Sequence, residues 1–435
     1  MQRSFWLETL GCPKNQVDSD KLVGTLLADG LVPASSPERA DLIVVNTCAF
    51  VEEARQESVD TILALDDARR SGAELVVTGC LAERAGAELA EAMPEIDRIA
   101  PFNAALLGAA EVPVTLGRRP AAPAFDLLNL PRPAPRAPWA YLKVAEGCDR
   151  TCGFCAIPSF RGAQRSRRFD DIVAEAEGLA AAGVRELVLV AQDLAAYGRD
   201  RTPPAVPLGL PEATGATRPL VDLVRRIGAD VPWVRLLYLY PSDLTDDLVD
   251  VVASGEVAYF DLSLQHVSAP LLRRMRRWGD GDRFLRRITD IRARRPDAAF
   301  RTNFIVGYPG ETEDDHGRLL RFVEEAQLDW CGFFAFSPED GTYALTLDGT
   351  VDAGLVADRL TELRELQDGI TARRRDDLIG SAVRALVDEP GVARSFREAP
   401  EIDGVIEVPD DLLVGGFVDL EIVDALGPDL VGRPR

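Results

Sequence analysis

The strongest constraint on the fold is an alternation of short apolar runs with amphipathic stretches of helical period, repeated along most of the chain. FWLETL precedes a helical stretch from about Gln16, DLIVVN precedes FVEEARQESVDTILALDDARR, and ELVVTG precedes AERAGAELAEAM. Strand–helix repeats of this kind place parallel strands in a sheet covered on both faces. From Trp139 the alternation resumes at AYLKVA, ELVLVAQ, VRLLYLY, YFDLSLQ, FRTNFIVG and WCGFFAFS, with helical patterns such as DDIVAEAEGLAAAG between them. Six βα units predict a partial (β/α)6 barrel, whose working residues sit at strand C-termini. The two alternations are separated by a stretch with seven prolines from Pro113 to Pro138, which can continue neither a helix nor a central strand. After a long Arg-rich helix ending near Asp377 come AVRALV, GVIEV and FVDLEIV, punctuated by Gly, Pro and Asp. These predict a small all-β barrel of OB type. The expected layout is an open parallel α/β domain over 1–112, a linker over 113–138, the partial barrel over 139–377 and the β-barrel over 378–435.

Charge and composition narrow the function. The net charge of −22 is a poor match to a polyanion, since nucleic-acid binding draws affinity from Lys and Arg. No apolar run approaches a membrane span, and MQRSFWLETLGCPK lacks the apolar core of a secretion signal. A cytoplasmic chain with seven reduced cysteines is expected, in a compartment where cysteines more often bind metals or catalyse than form disulfides. With only His266 and His316, histidine-based hydrolysis is not expected.

Six cysteines fall into two groups. Cys148, Cys152 and Cys155 lie within EGCDRTCGFC, on the loop after the first barrel strand. Three thiolates on one short loop hold three irons of a four-iron cube and leave the fourth iron open to another ligand. A four-thiolate zinc site needs a further nearby cysteine, and the next one, Cys331, is remote in sequence and reads as a core thiol. Cys12, Cys48 and Cys80 each directly follow an apolar strand, in LETLGC, LIVVNTC and LVVTGC. Strand C-termini of an open parallel sheet face one crevice, so these three predict a second three-cysteine cluster. Their positions near helix N-termini favour thiolates.

The C-x3-C-x2-C loop resembles that of the radical S-adenosylmethionine (SAM) enzymes. Together with the second cysteine set and the flanking domains, the whole chain resembles the radical SAM methylthiotransferases, whose C-terminal piece is a TRAM domain. That family has one branch acting on tRNA adenosines and another acting on ribosomal protein. TLGCPKNQVDSD (Thr9–Asp20), AQDLAAYG, LSLQH, GYPGETEDD and APEIDGVI resemble the ribosomal-protein branch. His316, Trp278 and the Gly-Pro of DALGPDLVGRPR depart from its pattern; none is an expected cluster ligand, so they bear on local packing or the substrate surface and not on the chemistry.

The resemblance implies an enzyme with two [4Fe-4S] clusters and SAM, which adds a methylthio group to the β-carbon of an aspartate in small-subunit ribosomal protein twelve. Cys148, Cys152 and Cys155 would hold the cluster that cleaves SAM to a radical, with Phe154 near the adenine. Cys12, Cys48 and Cys80 would hold the cluster that carries the sulfur. A cellular electron donor is implied as well. Gln192, Asp193, Gln265, His266, Gly307, Gly310 and Glu311 follow the second, fourth and fifth barrel strands and are candidate SAM contacts. Asp193 and Glu311 read equally well as helix caps. Arg161, Arg165, Arg167 and Arg168 follow the cluster loop and could hold the SAM carboxylate or an acidic substrate side chain, but as a group they read as a solvated face, as does RRMRRW (Arg273–Trp278). Residues 378–435 carry five basic against twelve acidic side chains, which suits a basic protein partner better than RNA. The competing readings are a tRNA adenosine methylthiotransferase and a non-catalytic iron–sulfur carrier or scaffold.

Overall fold

The computed structural model describes residues 2–102, 104–107, 125–201 and 218–435. The first half of the expected Pro-rich linker therefore lies outside the described residues. The chain divides into two compact units: Met1–Ala134 with Glu146–Asp149 and Ala156–Arg167, and Pro135–Ala145 with Arg150–Cys155 and Arg168–Arg435.

The first unit holds β1 (Ser4–Thr9), α1 (Pro13–Ala28), β2 (Val32–Pro33), β3 (Leu42–Thr47), α2 (Glu52–Ala68), β4 (Glu74–Gly79), α3 (Cys80–Ala92) and β5 (Arg98–Ile99). It also includes α4 (Ile157–Arg161), from the segment that follows Cys155. The strands form one parallel sheet in the order β2-β1-β3-β4-β5. Every residue of β3 is buried, because helices cover both faces. Ile43, Val45, Leu75 and Val77 pack with Ile62, Leu81 and Leu89 on one face, while Leu42, Val44 and Val76 pack with Leu22 and Leu26 on the other. That division follows the two-residue period of a strand. α1 begins at Pro13, earlier than the expected Gln16, since a proline at the first helical turn gives up an N–H that has no partner there.

In the second unit, β6 (Trp139–Lys143), β7 (Glu186–Val190) and β8 (Trp233–Leu236) form one parallel sheet. β9 (Tyr259–Gln265), β10 (Ala299–Val306) and β11 (Trp330–Ala335) form a second, and a single parallel bridge, Leu239 to Leu262, joins the two. The helices include α5 (Phe169–Ala181), α6 (Arg218–Gly228), α7 (Asp246–Ala253), α8 (Ala269–Arg274), α9 (Gly281–Arg294), α10 (Glu313–Ala326) and the long α11 (Ala353–Asp376). This is the partial barrel expected from six βα units, with a continuous apolar core. Beyond it β12 (Ala382–Glu389), β13 (Val392–Ser395), β14 (Ile406–Glu407), β15 (Phe417–Leu426) and β16 (Asp429–Pro434) close a five-stranded barrel around Ala385, Val387, Ile406, Leu420 and Ile422. Among the described residues no helix is long and apolar enough to cross a membrane.

Candidate metal centres

Strand register brings the first cysteine group together. Thr9 pairs with Asn46 and Thr47 with Gly79, so the C-terminal ends of β1, β3 and β4 stand side by side. Each end runs directly into a cysteine: Cys12 before α1, Cys48 after β3, and Cys80 as the first residue of α3. Gly11 makes the first of these turns at φ +92°, and a Cβ there would stand 2.8 Å from both Cβ and Sγ of Cys48. Only glycine leaves room for that thiol.

The three thiols feel one another. Burial, then the neighbouring Cys12 and Cys80, push Cys48 up to about 12. Burial also raises Cys80, against the pull of Arg161. At Cys12 burial opposes ionisation, but Lys14, backbone N–H groups and Arg161 outweigh it and hold the thiol below its usual value. The thiolate-favouring effect expected of helix N-termini is therefore met at Cys12 alone. At the other two, desolvation of the thiol is the larger effect.

Asn15 fastens this corner. Its Nδ2 donates to the carbonyls of Leu10 and Thr47, both at 2.9 Å, tying the ends of β1 and β3. Its Oδ1 accepts from Nη2 of Arg161 at 2.6 Å, and the same Nη2 lies 3.0 Å from Sγ of Cys80. The donor set fits an iron–sulfur cluster: three soft thiols around a corner that a single added methyl would fill. Each thiolate of a cubane binds its own iron, so the thiols need not meet at one point. Among the described residues no three His, Cys, Asp or Glu side chains converge on a single ion position.

The second cysteine group is contiguous in sequence. Cys148 N–H donates to the Gly162 carbonyl at 3.0 Å, within the first unit. In the second unit Cys155 N–H donates to the Cys152 carbonyl, while Gly153 N–H donates to Met275 and its carbonyl accepts from Ala344. A Cβ on Gly153 would come within 2.6 Å of the Tyr308 hydroxyl, so this turn also has no room for one. Nη1 of Arg277 lies 3.4 Å from Sγ of Cys152. Arg277 stacks on the Tyr240 ring at 3.9 Å, and Arg150 stacks on the same ring at 3.7 Å.

Arg277 corrects the reading of RRMRRW as an exposed helix face. α8 stops at Arg274, and Arg276 turns through a left-handed φ of 55°. That turn sends Arg277 inward to burial, while Trp278 stays exposed. Arg161 and Arg167 likewise depart from the solvated face expected of them, and both are buried. Arg165 pairs with Asp126, and Arg168 alone of the four is exposed.

The remaining candidate residues occupy strand ends but differ in what they touch. Phe154 packs partly buried against the barrel core. Asp193 accepts from Nε of Arg150 at 2.6 Å and Glu311 from the Gly307 N–H and Arg359, so neither side chain caps a helix. Thr312 and Asp315 make the capping box of α10 instead. Gln192 is half-buried, and Gln265 ends β9 at a positive φ of 70°. His266 is fully buried; its Nδ1 accepts from the Ser268 N–H, and burial pushes it down to about 4. Gly307 and Gly310 adopt φ of +82° and +87°, where a Cβ would strike Val356 and Arg274. Cys331 is partly buried against the barrel core, as a core thiol should be.

Known proteins resemble this chain along its length. The model of an uncharacterized protein family, UPF0004, matches residues 4–101, that of the radical SAM superfamily 142–323, and that of the TRAM domain 379–434. The ribosomal protein uS12 methylthiotransferase RimO of Cutibacterium acnes is 39% identical, covering 98% of this chain and 97% of its own. The RimO proteins of Moorella thermoacetica and Aquifex aeolicus are 42% and 39% identical, covering 93% and 98% of this chain and 92% and 96% of their own. Among solved structures, the radical SAM methyltransferase TsrM of Kitasatospora setae superposes with a TM-score of 0.50 at 13% identity, over 85% of this chain and 89% of that one. That likeness is one of fold alone. The chain belongs to the family of the ribosomal protein uS12 methylthiotransferases RimO.

Proposed function

We propose that this chain is a radical SAM methylthiotransferase that places a methylthio group on the β-carbon of an aspartate in ribosomal protein uS12. One observation carries the reading. Besides the three cysteines of the SAM-type loop, Cys12, Cys48 and Cys80 are gathered at three adjacent strand ends. Cys148, Cys152 and Cys155 would hold one [4Fe-4S] cluster, and the strand-end set a second. When bound, SAM and these clusters supply hydrogen abstraction from an unactivated carbon and the sulfur that replaces the hydrogen.

The chain's own side chains bind and orient these groups. With three thiols each, the two sites would leave one iron of a bound cluster open to another ligand. Arg277 donates toward the Cys152 sulfur and is held in line by Tyr240. Phe154, Gln192, Gln265, Gly307 and Gly310 are the residues we assign to SAM binding. Asp193, His266 and Glu311 support it through Arg150, Ser268 and the Gly307 backbone. The acidic C-terminal barrel suits a basic ribosomal protein, approached in the cytoplasm with electrons from a cellular reductant. The test is anaerobic reconstitution with SAM, a reductant and a peptide bearing the uS12 aspartate. Methylthiolated peptide alongside 5′-deoxyadenosine is expected, and 5′-deoxyadenosine with unmodified peptide counts against the assignment.

A further inference from the structure

We propose that Arg161 is a positioning residue for the strand-end cysteine site, holding a positive charge against the Cys80 sulfur so that the cluster bound there is easier to reduce. This rests on the reading of Cys12, Cys48 and Cys80 as cluster ligands. Arg161 ends α4, in the segment that follows the SAM-type loop in sequence, yet it belongs to the first unit. It lies outside residues 4–101, the stretch that the N-terminal family model matches. The strand-end site is thus completed by a residue from beyond the domain that supplies its cysteines.

The fork of the guanidinium is divided by function. Nη1 faces carboxylates, with Asp18 Oδ2 at 2.8 Å and both oxygens of Glu146 at 3.2 Å. Nη2 faces the site, with Asn15 Oδ1 at 2.6 Å and Cys80 Sγ at 3.0 Å. The ring of Phe102 closes over the group at 4.0 Å. Taking a guanidinium out of water costs several kcal/mol unless its donors are used. A purely structural ion pair would spend the whole fork on the two carboxylates; here one nitrogen is kept for a sulfur and for the asparagine that ties β1 to β3. Hydrogen bonds to the sulfurs, net charge and burial are the levers that set an iron–sulfur potential. Arg161 supplies the first two inside the third.

The experiment uses the full chain with Cys148, Cys152 and Cys155 all replaced by Ala, so that only the strand-end site can load. This parent must take up about four irons. Failure to do so counts against the cysteine assignment and leaves nothing for Arg161 to act on, which overturns both. Its reduction is then followed by electron paramagnetic resonance during a redox titration. Arg161→Gln is expected to shift the reduction equilibrium at least ten-fold toward the oxidised cluster, 59 mV for a one-electron couple. Arg161→Lys, which keeps the charge, should stay within about three-fold of the parent. Glu146→Gln removes an opposing charge and should move the equilibrium the other way. An Arg161→Gln protein within three-fold of the parent overturns the proposal, as does a Lys variant displaced as far as the Gln one. Should Arg161→Gln fail to fold, an unmoved Glu146→Gln potential overturns it.

Discussion

Gly11→Ala separates the two cysteine sites with a single methyl group. At φ +92° an L-residue is strained by about 1–2 kcal/mol. The new Cβ would also lie 2.8 Å from Cβ and Sγ of Cys48, closer than real Cβ contacts come. Cys48 follows directly on β3, whose six residues are all buried, so the strand has no space to retreat. Overpacking of this kind costs about 1–3 kcal/mol. Swinging the Cys48 thiol away relieves only the Sγ contact, so Cys48 must also shift at its backbone to clear the Cβ contact; both displacements take one ligand from the strand-end site and leave the loop site untouched. After anaerobic reconstitution, iron should fall from about eight to about four per chain, with sulfide in step. SAM cleavage to 5′-deoxyadenosine should persist while methylthiolated peptide is lost, and the melting temperature should fall modestly. A variant with the full iron complement and full product formation would refute the reasoning. So would loss of all iron from a chain that still melts cooperatively, because the sites would then not be independent.

Two further perturbations report on the second unit. Arg277→Met removes the donor 3.4 Å from the Cys152 sulfur, and hydrogen bonds to charged groups contribute about 1.5–3 kcal/mol. 5′-deoxyadenosine formation should fall about ten- to hundred-fold while the iron bound at the strand-end cysteines is unchanged; an unaltered rate excludes a role for Arg277. Buried His266 titrates at about 4 when folded, against about 6.5 unfolded, so the unfolded chain binds the extra proton between those values. Its contribution is full above pH 6.5 and is lost as pH falls through 4, about 2–3 kcal/mol by pH 4.5. Urea unfolding of the unaltered protein should show that loss, His266→Gln should lack it, and equal pH profiles would exclude it.

The architecture was readable because burial patterns are local. A run such as LIVVN can be satisfied only between two helical layers, and three such runs each ending in a cysteine place those cysteines along one sheet edge. What was not readable depends on partners remote in sequence. Arg161 stands 143 residues from Asp18 and 81 from Cys80, so its local surroundings, SFRGAQRSRR, look like any exposed basic stretch. Arg277 was hidden for another reason. A continuous helix over RRMRRW would present its arginines to water, and the left-handed turn at Arg276 has no glycine or proline to announce it. The sign of the thiol shifts was also out of reach, because helix-end dipoles can be inferred from position while desolvation needs the packed structure. Asn15 offered a faint signal, since a buried helix residue with a polar amide needs backbone partners, and here they are two strand ends.

The central claim is that the two cysteine sets do different work, one cleaving SAM and the other delivering sulfur to uS12. The most direct test is Cys48→Ala in the full chain, with 5′-deoxyadenosine and peptide mass followed in the same anaerobic reaction. The account predicts that 5′-deoxyadenosine still forms and the peptide gains no methylthio group. Undiminished methylthiolated peptide from that variant would contradict it.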